Sequence, residues 1–459
     1  MAMNRIISRA KVLLVLILVL SFGLSFFLVE YSIHSADWVY KPGSPHVYHA
    51  ENIGCGKIAD RNGVLLVDLT DDHIYSNNAL LRKASLHWVG DRAGNISAPA
   101  LNRYSKELAG FDPISGLYAY GGIGGLATLT LSAKLQMAAL EAMGDYKGTL
   151  AIVNYKTGEI LCAVTTPTFD PDNVPDIAGD TTGVFDGVYL NRFTQAAYTP
   201  GSIFKIVTMV AALESLEDLE QQEFTCTATV EYGVDKVTCE RVHGTQNIWD
   251  AFKNSCNCAF AKVSEQIGGK RLQQFAQQLG LLDSLRFDGI TTQAGKMDAA
   301  DQADVLVAWS AIGQHKDLVN PASFLTMVAA IANDGVVPST HLVDRIETAG
   351  KTTYSASLTP GQRLMSAETA QKLQAMMRNN VQNYYGDEKF AGFSVCAKSG
   401  TAQVGGGKKP NAMFTGFVAD ENCPIAFFVA IEDGGYGRHI CVPVLEKVLL
   451  AMANELNME

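Results

Sequence analysis

The chain has 459 residues, 47% hydrophobic and 18% charged, with a formal net charge of -11. Its length is about three domain lengths and supplies ample material for a large core. The acidic balance, with no basic patch interleaved with aromatics, excludes nucleic acid as a partner.

Residues 12–29 carry no charge; Arg5, Arg9 and Lys11 precede them and Glu30 follows. A run of this length suits a membrane-spanning helix. The charge asymmetry predicts a cytoplasmic N-terminus, with everything after residue 30 outside. His34-Ser35-Ala36 lacks the small residue expected at the first position of a signal cleavage site, so an uncleaved anchor is predicted.

Residues 31–145 are polar and turn-rich. Within them, 56–63 reads as a strand leading into an Asn-Gly turn. Gly121-Gly-Ile-Gly-Gly125 lacks the Lys-Ser/Thr of a phosphate loop and reads as a flexible corner. A helical pattern at 130–143 closes the region. Two strand-like runs, 149–154 and 159–165, then flank Tyr155-Lys-Thr-Gly158 as a hairpin. A helix-rich middle runs from 201 to about 382, strands return at 392–397, 401–404, 413–419 and 425–432, and a helix at 442–454 ends the chain. This order predicts an α+β fold in which the first hairpin and the last strands share one antiparallel sheet.

The stretch Tyr198-Thr-Pro-Gly-Ser-Ile-Phe-Lys205 leads into an apolar run at 206–213 that reads as a buried helix. Residues three apart share a helix face, so Ser202 and Lys205 can meet. A serine hydroxyl needs a neighbouring base to become a good nucleophile. An ordinary lysine is neutral about once in 2,500 molecules at pH 7, whereas one lowered to ~7.5 is neutral roughly a quarter of the time, and burial supplies such a shift. The helix N-terminus adds positive potential over the serine. Ser8-Arg-Ala-Lys11 repeats the spacing but has no buried helix behind it.

Two further motifs accompany the first. Ser255-Cys-Asn257 opens another apolar helical segment, and Lys398-Ser-Gly-Thr401 follows the alternating 393–397. Ser76-Asn-Asn78 and Lys156-Thr-Gly158 mimic them, but Lys156 precedes the serine and sits at a hairpin tip, where such residues are turn chemistry. Ser-x-x-Lys, Ser-x-Asn and Lys-Ser/Thr-Gly, in that order, are the signature of serine β-lactamases and penicillin-binding proteins. The chain resembles class B penicillin-binding proteins, monofunctional D,D-transpeptidases with one N-terminal anchor. The resemblance is carried by these motifs and by 56–63, Gly158-Glu-Ile160, Phe169-Asp-Pro171, His243-Gly244, Gly313-Gln314, Asn333-Asp-Gly335 and Gln403. It covers almost everything from residue 50 onward. Cys256, Ser399 in place of the commoner Thr, and Ala412-Met413 before Phe414 depart from the pattern.

The resemblance implies an anchor at 1–30, a short membrane-proximal pedestal at 31–145, too small for a glycosyltransferase domain, and a transpeptidase domain at 146–459 with its sheet packed between helices. It also implies roles. Ser202 attacks the carbonyl between two terminal D-alanines, Lys205 takes its proton, Ser255 relays one to the departing D-alanine, and Asn257 holds the peptide amide. Lys398 attracts the substrate carboxylate and helps keep Lys205 neutral. Ser399, Gly400 and Thr401 form the strand edge, with the Ser399 and Thr401 hydroxyls on that carboxylate and the Ser202 and Thr401 N–H groups as oxyanion hole. Expected partners are peptidoglycan stem peptides, β-lactams and a SEDS-type lipid II polymerase.

A β-lactamase is the enzymatic alternative, but no Glu-x-x-x-Asn lies between the second and third motifs. A β-lactam sensor or a scaffold is the non-enzymatic alternative. The intact trio argues against a scaffold, and the dozen residues before the span argue against a sensor. Nine cysteines fix no connectivity; Cys226 and Cys239 flank a polar segment that admits a bridge without requiring one. Cys162 and Cys396 read as buried thiols, and Cys256 has no recognisable base that would make it a rival nucleophile. No metal-ligand cluster stands out, and neither metal nor cofactor is expected.

Overall fold

The computed structural model describes residues 2–39, 48–49, 52–53, 56–69, 74–109, 124–357 and 361–455. Cys55 and residues 121–123 of the glycine run lie outside them.

Helix α1 (Ala2–Val39) carries the uncharged run. Its most apolar window has mean hydropathy 3.0, with none of it buried. At 1.5 Å per residue the uncharged stretch extends about 27 Å, close to the thickness of a bilayer's hydrocarbon core. The helix is long and apolar enough to cross a membrane.

Strands β1 (Lys57–Ala59) and β2 (Leu65–Asp68) form the predicted hairpin, in which Asp60 Oδ1 accepts from the Asn62 and Val64 N–H groups at 2.9 and 2.7 Å. Helix α2 (Ala79–Val89) is capped by Asn78, whose side chain accepts from Leu80 and Leu81 N–H. Ser76-Asn-Asn78 is thus a helix start. Strand β3 (Leu126–Leu129) and helix α3 (Ala133–Met143) lead to the long hairpin of β4 (Gly148–Asn154) and β5 (Ile160–Thr166).

After the serine motif comes α4 (Lys205–Leu213). The middle then departs from the helix-rich reading. Four short strands, β6 (Glu223–Cys226), β7 (Thr229–Tyr232), β8 (Asp235–Thr238) and β9 (Gly244–Asn247), precede α5 (Ile248–Lys253) and α6 (Asn257–Ile267). Strand β9 pairs with β6, and β8 with β7. Each offers only four residues, too few for alternation to stand out from a polar loop. Helix α7 (Pro321–Ala332), strands β10 (Val343–Thr348) and β11 (Lys351–Ser355), and helix α8 (Ala367–Asn380) follow. Strands β12 (Val395–Ala402), β13 (Asn411–Val418) and β14 (Ile425–Ile431) and helix α9 (Gly437–Glu455) complete the chain. The last helix begins before the predicted 442.

The central sheet has the order β12-β13-β14-β4-β5 and is antiparallel throughout, so the first hairpin and the last strands share one sheet as predicted. Strand β14 is buried along its whole length, and its period of two divides it between two cores. Ala426, Phe428 and Ala430 join a core with α4 and α7, while Phe427, Val429 and Ile431 join another with α3 and α9. Phe428 meets Phe324 at a ring separation of 5.9 Å, and Phe427 meets Phe414 at 5.6 Å. Truncating either phenylalanine to alanine would cost about 3–5 kcal/mol. A second sheet, β11-β10-β3-β1-β2, joins strands from residues 57–129 to a hairpin more than 200 residues further on.

Candidate active site

The serine segment is fixed before its helix begins. Tyr198 exchanges backbone hydrogen bonds with Val319, and its hydroxyl donates to Glu432 Oε1 at 3.0 Å, an oxygen shared with buried Arg192. Gly201 has φ +55, and a Cβ there would lie 2.6 Å from the Thr401 carbonyl oxygen. Only glycine meets both demands. A 3-10 turn, Gly201–Phe204, then delivers Ser202 into the cleft and passes into α4, where Lys205 is fully buried.

Lys205 Nζ is 2.9 Å from Ser202 Oγ, 2.9 Å from the Ser255 carbonyl oxygen, 2.7 Å from Asn257 Oδ1 and 3.2 Å from Ser255 Oγ. The two carbonyl-type oxygens can only accept. A neutral amine that gives its two N–H bonds to them keeps a lone pair for the Ser202 hydroxyl proton. Burial lowers the Lys205 ammonium to about 8, against partial restoration by nearby thiols and Glu240. Ser255 sits at φ +55, a conformation costing about 1–3 kcal/mol for a residue with a side chain. It places its carbonyl on Lys205 and its hydroxyl between the two lysines.

Lys398 Nζ donates to Ser255 Oγ and to the Ser399 carbonyl, both at 3.0 Å. Burial first, and then the charge of Lys205, push Lys398 well below the usual lysine range. Burial is also the largest cause at Lys205, so desolvation acts on both amines. Lys398 lies on β12, an edge strand of the central sheet. The predicted strands at 392–397 and 401–404 are one strand, because Gly400 is a point of close approach and not a break. A Cβ there would lie 2.9 Å from Ile203 Cγ2 and 3.0 Å from the Pro200 oxygen.

Sequence reasoning missed Tyr385. Its buried hydroxyl accepts from the Ser399 N–H at 2.8 Å and donates to Ser399 Oγ at 3.0 Å, and burial raises the phenol to about 12. It belongs to a single π turn after α8, which no local motif marks.

Ser202, Ser255, Asn257, Ser399 and Thr401 line one cleft of ≈ 580 Å³, together with Gln314 of the Gly313-Gln314 pair. Asn257 gives its amide oxygen to Lys205 and donates from Nδ2 to the Thr238 carbonyl at 2.7 Å, which leaves one N–H of the amide. The rim adds Glu240, Arg241 and, from the start of α9, Arg438 and His439. Lys156 instead lies exposed at its hairpin, on Asn333 Oδ1 at 3.0 Å.

Behind the Ser255 loop the structure gathers residues that the sequence kept apart. Cys226, Cys239, His243 and Cys256 place their ligand-capable atoms within 4.8 Å of one another. This runs against the expectation that no metal-ligand cluster is present. Cys226 and Cys239 are free thiols, and Cys256 is buried, with its sulfur accepting from the Ala259 N–H. Cys162 and Cys396 are buried free thiols as predicted.

The family profile described as penicillin binding protein transpeptidase domain matches residues 148–450. The chain belongs to this family. The transpeptidase is similar to the peptidoglycan D,D-transpeptidase PbpA of Mycolicibacterium smegmatis, 28% identical over 338 residues that cover 68% of each chain. It is also similar to stage V sporulation protein D of Bacillus subtilis, 26% identical over 416 residues, 84% of this chain and 60% of that one. Among solved structures, the D,D-transpeptidase domain of a peptidoglycan glycosyltransferase from Eggerthella lenta matches with TM-score 0.75 at 25% identity, covering 88% of this chain and 99% of that one. The transpeptidase is a class B penicillin-binding protein and a peptidoglycan D,D-transpeptidase, as its motifs indicated.

Proposed function

We propose that Ser202 is the acylated nucleophile of this transpeptidase and that Lys205 and Ser255 carry its proton, with Lys398 beside them. The supporting observation is the Lys205 amine, buried, anchored on two carbonyl oxygens and 2.9 Å from Ser202 Oγ. As Ser202 Oγ bonds to the carbonyl carbon between two terminal D-alanines, its proton moves to Lys205. The N–H groups of Ser202 and Thr401 hold the developing oxyanion. The C–N bond then breaks, the departing D-alanine amine takes the Ser255 hydroxyl proton, and Lys205 returns one to Ser255. An amine of a second stem peptide attacks the ester, its proton travels back along the same path to Ser202 Oγ, and a new peptide bond joins the two stems. Lys398, Ser399 and Thr401 bind the terminal carboxylate, while Asn257 holds the peptide with its remaining amide N–H.

The N-terminus lies in the cytoplasm and the catalytic domain outside, with residues 1–30 as anchor, 31–145 as pedestal and 146–459 as transpeptidase domain. The anchor and pedestal dock on a SEDS-type lipid II polymerase that supplies the glycan strand. The deciding experiment is covalent labelling by a fluorescent penicillin. Ser202→Ala and Lys205→Ala should abolish it, and Lys398→Ala should slow it by about 100 to 1,000-fold. The label on the unaltered protein should last many minutes. Labelling that survives Ser202→Ala would overturn the nucleophile, and release within seconds would mark a β-lactamase.

A further inference from the structure

Helix α8 and the π turn after it cover the free edge of β12 with side chains. Arg378 Nη1 donates to the Val395 carbonyl at 3.0 Å, and Asn380 Nδ2 donates to the Ala397 carbonyl at 2.9 Å. Tyr385 then takes the Ser399 N–H at 2.8 Å. Backbone groups of alternate residues face the same side of an antiparallel strand, so these three are consecutive outward rungs, and Thr401, at the cleft, is the next. Tyr385 closes the last covered rung before the cleft.

The phenol is fully buried, with its ring edge-on at 5.4 Å to Phe414, the residue paired with Ser399 on β13. Its oxygen accepts from the Ser399 N–H, and its single proton goes to Ser399 Oγ at 3.0 Å. Ser399 Oγ is thus an acceptor on its buried side, which leaves its own proton for the cleft that it lines. The commoner Thr would restrict its own rotamer by β-branching; Ser399 lacks that restraint. We propose that Tyr385 is a positioning residue for substrate recognition, fixing the Ser399 hydroxyl as a donor toward the substrate's terminal carboxylate. The inference rests on the reading of Ser399 as a partner of that carboxylate. Burial raises the phenol to about 12, so it stays protonated, and a donor, near neutral pH.

The test acylates the full chain, purified in detergent, with benzylpenicillin and with benzylpenicillin methyl ester, and compares the second-order rate constants by intact mass. Tyr385→Phe removes only the hydroxyl. It should slow the acid about 10 to 100-fold and the ester less than about twofold. Ser399→Ala should lose the preference for acid over ester in the same way. The double variant should be no slower than Ser399→Ala alone, because both changes act on one hydroxyl. A general disturbance of the edge strand would slow both ligands alike and would overturn the proposal, as would an unchanged rate for the acid or a fully additive loss in the double variant. If Ser399→Ala keeps the acid preference, its hydroxyl is not on the carboxylate, and the inference falls whether or not Tyr385→Phe folds. If Ser399→Ala loses that preference while Tyr385→Phe keeps it, the carboxylate reading stands and the positioning role alone falls. Ser202→Ala should take neither ligand, so failure of the nucleophile shows separately.

Discussion

Ser255 Oγ lies 3.2 Å from one buried lysine nitrogen and 3.0 Å from another, so the two amines are about 6 Å apart or less. At an effective dielectric of about 20, two ammoniums at that distance repel by roughly 3 kcal/mol, equivalent to about two pH units. Added to the loss of hydration at both residues, this makes the doubly charged pair unfavourable at neutral pH. Lys205 is the one whose lone pair faces Ser202, and its ammonium titrates near 8. With Lys205 as the proposed base, the neutral amine is the active form, and the sign follows. Below 8 the active fraction falls about tenfold per pH unit, and above 8 it saturates. The second-order rate constant for acylation by benzylpenicillin should therefore drop about tenfold from pH 7 to pH 6 and level off above about 8.5. A flat profile across pH 6 to 8 would show that Lys205 is not the titrating base.

At the level of elements, the cleft is the seam between the Gly201–Phe204 turn and the edge strand β12, which glycine on each side lets approach closely. Gly400→Ala would press its Cβ on Ile203 Cγ2 and the Pro200 oxygen. The seam would open by a few tenths of an ångström, moving Ser202 away from Lys398. Because acyl transfer depends on close alignment, acylation should slow by at least about tenfold, with little change in far-ultraviolet circular dichroism. Full activity would show that the seam tolerates a wider gap. The same glycine explains why the strand read as two in sequence: Gly weakens a strand pattern, and its packing reason lies on Pro200 and Ile203, far away in the chain. The three signature motifs were legible because each is short and carried by one turn or strand. Tyr385 and the Cys226, Cys239, His243, Cys256 group were not, since they converge only when a π turn or four small strands fold against the motif loops. The apolar run of β14 was legible as a strand, but its division between two cores appears only with helices on both faces.

For the whole molecule, the pairing of β3 with β10 makes the strands before residue 130 and the body of the protein parts of one hydrogen-bonded sheet. Which side of the membrane holds that body is set by charge. Arg5, Arg9 and Lys11 lie on the N-terminal side of the span, and Glu30 on the other. Retention of basic residues in the cytoplasm predicts that residues 31–459 lie outside. Protease added to intact, wall-stripped cells should digest the penicillin-labelled domain while sparing an epitope fused before Met1. Lysing the cells first should expose both. Protection of the labelled domain in intact cells would reverse the orientation, and a soluble mature protein beginning near Asp37 would replace the anchor with a cleaved signal peptide. Moving three basic residues from before the span to just after it should weaken or invert the insertion, with a corresponding loss of label at the cell surface.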